Sequence, residues 1–337
     1  MYIVRPANIM DLPGIERLHT SYEVRVTTLP SDRDKLSELL HTSTQSFQGD
    51  IENTQDATLI FVLEHIETGE IAGVSGIDAY AGSGYPFFNY RIEELVHASH
   101  HLGIHTATSI LYLSHELTGS TVLRSFAIRP DLRGTPYFAL LSRARFMYMA
   151  QNPDDFSDRT VTEIQGLLDD KGDSPFWNSI GRNFFDIDFA TADYYVGVKS
   201  KTFIAELMPQ HPIYVTLLSE EAQQAMNKAH PATEATCQLL FKEGFERSRY
   251  VDIFDGGPVL TSTSKNIHTI ASSKLKEITT SKLVGGLKYL ISNNQNGDFR
   301  CGIGKLVDGI GDHIRLDDSV ATQLQVSNGD LIRYSPL

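Results

Sequence analysis

The stretch IRPDLRGTPYFALLSRARFMYMA, residues 128–150, has the residue types of a turn that binds an anion at the start of a helix. Proline suits the first position of a helix, so Pro136 would begin it and Thr135 would cap it. The first N–H groups would then point out of the turn, at the positive end of the helix dipole. These candidate donors are the amides of Gly134, Thr135, Tyr137 and Phe138. Arg129 and Arg133 flank the turn, which therefore suits a small anion, although an ordinary capped helix with surface arginines has the same pattern.

His230 is the side chain best suited to move a proton. It stands with Pro231 directly before a predicted helix, and an imidazole exchanges protons near neutral pH without a large pKa shift. A histidine at this position can also serve only to cap the helix, so the residue types alone leave both roles open.

Four further histidines lie close together in the stretch LVHASHHLGIH. They are His97, His100, His101 and His105. Their surroundings offer no settled ligand geometry, and the only two cysteines, Cys237 and Cys301, lack metal-ligand spacing. We therefore expect no metal site.

The elements that must position these residues begin with a strand at residues 2–6, expected at a sheet edge because it ends in a proline. Two helical stretches follow, the second near residues 32–47. The segment 58–80 then reads as two strands joined by a polar turn at residues 67–70, and residues 119–128 read as the strand before the anion-binding turn. With a short strand after the helix, this order predicts a sheet whose central strand leads into a ligand-binding helix.

The second half of the chain is less regular. Residues 167–229 fit no tight unit and are expected to be an insertion over the site. A helix is predicted over residues 232–245, closed by Gly244. From about residue 263 short strands and glycine turns follow, and residues 312–334 resemble the closing strands of a small β-barrel.

Composition sets the class of protein. The chain has 337 residues, 41% of them hydrophobic, which is enough for a large core. A formal net charge of −13 makes nonspecific nucleic-acid binding a poor expectation. The sequence shows no basic and apolar secretory signal and no apolar run long enough to span a membrane. With two cysteines only, these features predict a reduced, cytoplasmic protein that binds neither nucleic acid nor membrane.

Several strings resemble one enzyme family. The turn stands where acyl-CoA-dependent N-acyltransferases of the GNAT superfamily carry an Arg-x-x-Gly-x-Gly/Ala loop for the CoA pyrophosphate, and CQLLFKEGF is similar to that superfamily's second signature. The chain also resembles the arginine N-succinyltransferase family nearly from end to end. The matching strings are NYRIEELVHAS, SRARFMYMA, SPFWNSIGRNFF, FIAELMPQHPIY, the His-Pro pair at 230 and 231, and YVDIFDGGP.

The resemblance implies an α+β fold: a GNAT-type mixed sheet flanked by helices, with a large insertion and a small C-terminal β-barrel-like domain. The expected domains are a GNAT-like acyltransferase domain at residues 1–262, in which 167–229 is the insertion over the site, and a small β-rich domain at 263–337. The implied activity is succinyl transfer from succinyl-CoA to the α-amine of L-arginine in arginine catabolism. The amine would attack the thioester directly, and no tightly bound cofactor is needed.

The resemblance also assigns the binding site for succinyl-CoA. The strand before the turn would clasp the pantetheine arm, with the backbone of Phe126 against the acyl-CoA. Arg133, Gly134 and Thr135 would hold the pyrophosphate. Pro136 and Phe138 stand where the superfamily carries glycines, and the loss of one N–H bond to a charged group, worth about 1.5–3 kcal/mol, predicts a weakened site rather than an abolished one.

His230 aligns with the family's proposed proton donor. Many GNAT enzymes use a tyrosine on the helix that follows, but this chain has Phe241 there, which carries no proton. The acceptor's guanidinium stays charged and needs a carboxylate partner, whereas its carboxylate needs a cation. The carboxylate candidates are Glu206, Asp252 and Asp255, and the cation candidates are Arg91 and Arg182.

Alternatives remain at this level. A retuned loop and insertion would suit another amino acid or acyl-CoA. A fold with an altered loop would also suit a non-catalytic partner subunit, because some members of the family occur as related α and β chains. A homo-oligomer, or a hetero-oligomer with a homologous chain, is therefore expected.

Overall fold

The computed structural model describes residues 1–20, 28–82, 84–198, 207–308 and 313–337. These residues form two compact units. The first consists of Met1–Tyr80, Thr121–Asp158 and Thr263–Leu337, and the second of Ala81–Ser120 and Arg159–Ser262.

The bounds of the described elements are as follows. The strands are β1 Tyr2–Pro6, β2 Thr58–His65, β3 Ile71–Asp78, β4 Asn89–Ser99, β5 Ile104–Ser114, β6 Thr121–Ile128, β7 Arg159–Glu163, β8 Ile213–Tyr214, β9 Glu246–Val251, β10 Pro258–Thr263, β11 Lys274–Ser281, β12 Leu287–Ser292, β13 Cys301–Asp308, β14 Ile314–Asp317 and β15 Leu331–Pro336. The α-helices are α1 Leu12–Thr20, α2 Arg33–Gln48, α3 Pro136–Gln151, α4 Pro175–Ser179, α5 Arg182–Phe185, α6 Phe189–Val198, α7 Glu220–Ala225, α8 Glu234–Lys242, α9 His268–Ser272 and α10 Asp318–Leu324.

The first unit is built on the antiparallel strands β1, β2, β3 and β6, in that order. The expectation that residues 2–6 form an edge strand is wrong, because β1 pairs with β2 on one side and meets β13 on the other, at Val4 and Cys301. Pro6 is tolerated because it is the last residue of the strand.

Helices cover both faces of this sheet. Residues of α1 and α2 share a buried cluster with Ile60, Val62 and Val74. The other face receives α3, where the Ser75 hydroxyl donates to the backbone oxygen of Leu141. Gly73 permits the close approach, since a Cβ there would lie 2.6 Å from Leu141 Cδ2. Side chains on a strand alternate between faces, so Val74 packs with α1 and α2 whereas its neighbours Gly73 and Ser75 contact α3.

Strands β11–β15 close a five-stranded barrel in the order β12-β15-β11-β14-β13, with β13 paired back to β12. This confirms the predicted α+β class with a small C-terminal barrel. The pairing of β11 with β14 is parallel and the other pairings of the barrel are antiparallel. Within residues 312–334, which were expected to be strands, Asp318–Leu324 instead forms α10, capped by Asp317.

The second unit carries the strands β7, β10, β9, β4, β5 and β8 in that order. Its core includes Trp177 of α4, whose ring stacks on Phe185 and Phe254. The hairpin of β4 and β5, eleven residues in each strand, was not predicted.

The predicted domain boundary after residue 262 falls where the chain passes from the second unit back to the first. Residues 263–337 group with residues 1–80 and 121–158. That 263–337 is a domain of its own stays a prediction. No helix among the described residues is long and apolar enough to cross a membrane.

Candidate active-site residues

A β-bulge interrupts β6 at Ser125 and Phe126. Val74 and Ala127 are paired across β3 and β6, but the next pair joins Gly76 to Arg124, so β6 has one extra residue. Ser125 has a φ of 54°, rare for a residue other than glycine, and its N–H donates to Thr28 Oγ1 at 2.8 Å. The bulge turns the backbone of Phe126 out of the regular β3 ladder.

The turn after β6 has the predicted cap. Thr135 is the N-cap of α3, Pro136 is the first helical residue, and Thr135 Oγ1 accepts from the Tyr137 N–H at 3.3 Å. The expected outward amides are mostly engaged, because the Thr135 N–H donates to Leu132 and the Phe138 N–H donates to Thr135. Gly134 is exposed, and a Cβ placed on it would touch nothing within 4 Å. The open amide of the turn is therefore that of Gly134.

The two arginines that flank the turn differ. Arg129 is bound to Asp131 and to Glu70, each at 2.8 Å, and these carboxylates already neutralise it. Arg133 is half-buried at the end of a short 3₁₀ helix, Pro130–Leu132. Because its charge is already paired, Arg129 is poorly suited to bind an added anion.

The side chain of Phe138 packs edge-on against Phe126, with ring centroids 5.2 Å apart. The guanidinium carbon of Arg145 also lies over the Phe126 ring, 5.4 Å from the ring centroid. Arg145 is 2% exposed. Sequence reasoning missed it, because an arginine inside a helical run normally lies on the solvated face.

His230 caps the 3₁₀ helix Pro231–Thr233 that leads into α8. Its Nδ1 accepts from the Ala232 N–H at 3.2 Å, so in the neutral ring the proton lies on Nε2. Its backbone N–H donates to Gln165 O. The ring is half-buried, and its Nε2 is the nitrogen left to act on a ligand.

Asp252 and Asp255 both bind backbone amides. Asp255 is 6% exposed, and its two oxygens accept the N–H groups of Gly257 and Gly166, each at 2.8 Å. Burial, reinforced by the charge of Asp252, raises the pKa of Asp255 well above its usual range. Asp252 is half-buried and uses Oδ1 for the amides of Phe254 and Asp255, so these two hydrogen bonds do not engage its Oδ2. Glu206, the third candidate, lies outside the described residues.

The remaining candidates are spread over the second unit. Arg91 is bound to Glu93 and Glu116, and Arg182 is exposed. His97 stacks on Tyr214. Among the described residues no group of three or more histidines, cysteines or carboxylates could hold a metal ion.

The candidate residues therefore fall in two places. Those proposed for the acyl donor belong to the first unit: Phe126, Arg133, Gly134 and Thr135. His230, Asp252 and Asp255 belong to the second.

Comparison with known proteins covers almost the whole chain. A family model described as the arginine N-succinyltransferase beta subunit matches residues 2–269, and one for that subunit's C-terminal domain matches residues 272–336. The chain is 41% identical over 334 residues to the arginine N-succinyltransferase subunit alpha of Pseudomonas aeruginosa, covering 99% of both chains. It is 36% identical to an arginine N-succinyltransferase of Escherichia coli, covering 99% of this chain and 97% of that one.

A solved structure shares the fold. It is described as the structure of arginine/ornithine succinyltransferase subunit AI from Pseudomonas aeruginosa. The TM-score is 0.91 at 38% identity, with 100% of this chain and 98% of that chain covered.

Proposed function

We propose, since this chain belongs to the arginine N-succinyltransferase family, that it transfers the succinyl group of succinyl-CoA to the α-amine of L-arginine. The observation that carries the proposal is the match of both family models, which together span residues 2–336 with a gap of two residues. A match of that extent includes the strand, the turn and the helix of the donor site together with His230. The chain is therefore an acyltransferase rather than a binding module.

The reaction sets the requirements. The neutral α-amine attacks the thioester carbonyl, the C–N bond forms and the C–S bond breaks. Nitrogen loses a proton and the leaving sulfur gains one. The protein must hold the thioester in line, stabilise the oxyanion that develops on the carbonyl and supply the sulfur's proton.

For the acyl donor, we assign the pyrophosphate to Arg133, Gly134 and Thr135 and the acyl end to the backbone of Phe126. The bulge at Ser125 and Phe126 supports this, since it takes backbone groups out of the β3 ladder. Because the amides of Thr135 and Phe138 are already bonded within the turn, the charge of Arg133 and the Gly134 N–H must supply most of the attraction. We therefore expect this site to bind the CoA pyrophosphate more weakly than a turn with free amides would.

For proton transfer, we assign His230. Its Nδ1 is held by the Ala232 amide, so the ring presents Nε2 in a fixed direction. In the neutral tautomer Nε2–H donates a hydrogen bond that stabilises the developing thiolate. Releasing a proton to the sulfur requires the imidazolium, in which Nδ1 is also protonated and no longer accepts from the Ala232 amide. A base at the same atom would require the proton to move to Nδ1, with loss of the cap.

For the acceptor, the guanidinium partners are Glu206, Asp252 and Asp255. Asp252 has one oxygen, Oδ2, outside its two backbone hydrogen bonds, whereas Asp255 is closed in by the backbone of Gly166 and Gly257. The solved relative is described as an arginine/ornithine succinyltransferase, so ornithine is a second acceptor to test.

Assembly and location complete the proposal. A relative named as a subunit supports an oligomer, either of this chain alone or with a homologous chain. The same name favours, as a second candidate, a subunit that needs its homologue for activity. We place the protein in the cytoplasm.

The test is an assay of the purified chain with succinyl-CoA and arginine, followed by thiol release and by the mass of the product. We expect one free CoA for each succinylarginine formed. Absence of turnover by the chain alone, restored by a homologous chain, would instead support the subunit role. Calorimetric titration with succinyl-CoA, acetyl-CoA and CoA separates binding from turnover.

A further inference from the structure

Arg145 carries a buried guanidinium without a carboxylate partner among the described residues. Its Nε donates to the backbone oxygen of Ser142 at 3.1 Å and its Nη2 to the hydroxyl of the same residue at 2.9 Å. Its Nη1 reaches only the backbone oxygen of Gly76, at 3.5 Å. All three acceptors are neutral.

These contacts leave the cation under-satisfied. A guanidinium has five N–H donors, so at least two of them find no acceptor among the residues that the structure describes. The rings of Phe126 and Phe146, 5.4 Å and 5.9 Å from the guanidinium carbon, supply only cation–π attraction. Burial lowers the pKa of Arg145 to about 9, which still leaves it protonated at neutral pH. An isolated buried cation is costly, and such groups are concentrated where a ligand brings the opposite charge.

Arg143, two residues earlier on α3, is a buried arginine whose hydrogen bonds do give it a structural role. It is buried to a similar degree, 5% exposed, but its guanidinium ties the helix to the end of the chain. It donates to Thr269 Oγ1 at 2.8 Å and to the backbone oxygen of Pro336 at 2.6 Å. Arg143 therefore has a structural purpose that is evident from its contacts, whereas the two shorter hydrogen bonds of Arg145 both go to Ser142, one turn away on the same helix.

Arg145 also lies beside Phe126, the residue of β6 to whose backbone the acyl group was assigned. Gly76, whose oxygen it approaches, is paired with Arg124 of β6, and the Phe126 ring covers the guanidinium. Phe126 is partly exposed whereas Phe146 is buried, so a ligand would reach the cation by displacing the Phe126 ring. A short four-carbon acyl chain keeps its terminal carboxylate within a few ångströms of the thioester that the bulge would hold.

We propose that the guanidinium of Arg145 binds the free carboxylate of the succinyl group and thereby selects succinyl-CoA over neutral acyl-CoA donors. This inference rests on the proposed function and deepens it by naming the residue that recognises the donor. Arg145 would pair with the succinyl carboxylate through two parallel N–H···O bonds, the arrangement that its planar fork favours.

The experiment compares succinyl-CoA with butyryl-CoA, which has the same chain length and no carboxylate, in the full-length protein and in Arg145→Met. We expect the ratio of succinyl-CoA to butyryl-CoA in kcat/KM, and the ratio of their dissociation constants by calorimetry, to fall by about 100-fold or more. The thermal midpoint should stay unchanged or rise, because Met removes an unpaired buried charge. Arg145→Lys should give an intermediate ratio, since it keeps the charge and loses the fork.

Arg143→Met is the matched control on the same helix. It should lower the thermal midpoint and leave the donor ratio unchanged. If Arg145→Met keeps the wild-type ratio, or lowers binding of both donors equally together with stability, the inference is overturned. If the wild-type chain fails to transfer a succinyl group, the proposed function fails, and the calorimetric ratio still decides the role of Arg145.

Discussion

The Nδ1 atom of His230 accepts a hydrogen bond from the backbone N–H of Ala232 at 3.2 Å, so one ring nitrogen caps a helix while the other is left for chemistry. The cap and hydrogen-bond donation from Nε2 to the leaving sulfur are thus compatible, since they use different atoms. They can be separated by substitution, because asparagine is a good helix cap without an imidazole.

We expect His230→Asn to lower kcat by about 10²–10⁴-fold with little change in thermal midpoint or in CoA affinity. His230→Ala should lower kcat similarly and also cost about 0.5–2 kcal/mol of stability through loss of the cap. Turnover with succinyl-CoA and arginine, read beside thermal unfolding, checks both. A His230→Asn enzyme with wild-type kcat would reduce the histidine to a cap.

The second prediction concerns the turn before α3. Arg133→Ala should weaken CoA binding by about 10-fold or more, because a hydrogen bond to a charged group is worth about 1.5–3 kcal/mol. Pro136→Gly should tighten CoA binding or leave it unchanged, since it restores an N–H at the first helical position. Calorimetry with free CoA measures both, and Arg129→Ala is the control, because Arg129 is already paired with Asp131 and Glu70. Unchanged affinity in Arg133→Ala would place the pyrophosphate elsewhere.

The backbone preferences of single residues predicted the start of α3 at the donor site and the end of α8. The N-cap at Thr135, the first helical residue Pro136 and the left-handed Gly244 after α8 all follow from backbone preferences of single residue types. The hairpin of β4 and β5 was missed because its outer half is exposed and mixes polar residues with apolar ones such as Val96 and Ile104. It therefore lacks the alternation that marks a half-buried strand.

The burial and the long-range contacts of the other site residues could not be predicted from the sequence. Nothing in the string SRARF distinguishes Arg145, for which the described residues provide no carboxylate partner, from Arg143, which ties α3 to Thr269 and Pro336. Likewise YVDIFDGGP shows two carboxylates but not that Asp255 receives the amides of Gly166 and Gly257. Those contacts join residues far apart in sequence, which no local pattern encodes.

The third prediction concerns the acceptor. A pocket that desolvates a guanidinium needs a facing carboxylate, and citrulline would leave that carboxylate buried and unpaired, at a cost of about 3–5 kcal/mol. We expect kcat/KM for arginine to exceed that for citrulline by roughly two to three-and-a-half decades. Ornithine should be intermediate because its ammonium is on a shorter stem. Competition assays with succinyl-CoA measure the order.

Asp252→Asn and Glu206→Gln are the variants to compare for that preference. The one that removes the guanidinium partner should reduce the arginine-to-citrulline ratio more than it changes CoA affinity. Asp34→Asn, on α2 in the first unit, is a control for loss of negative charge. Equal use of citrulline and arginine by the wild-type chain would show that the pocket is not a guanidinium site.

The last prediction follows from the buried carboxyl of Asp255, whose folded-state pKa is raised mainly by desolvation. A raised pKa means that the folded protein binds this proton more tightly than the unfolded chain, so the group's contribution to stability is full below its ordinary pKa of 3.8. That contribution is lost as pH rises from there through the raised value, at up to about 1.4 kcal/mol per pH unit. Asp255→Asn cannot ionise, so it has no such pH dependence. Its NH₂ group would replace an oxygen that accepts a backbone N–H, and that hydrogen bond would be lost. We therefore expect Asp255→Asn to be less stable than the wild type at pH 5. Urea unfolding of both proteins between pH 5 and pH 8 should show the difference in their free energies of unfolding narrowing as pH rises, because only the wild type loses stability through this group. A gap that stays constant over the range, or widens, would mean that the two backbone amides hold Asp255 ionised.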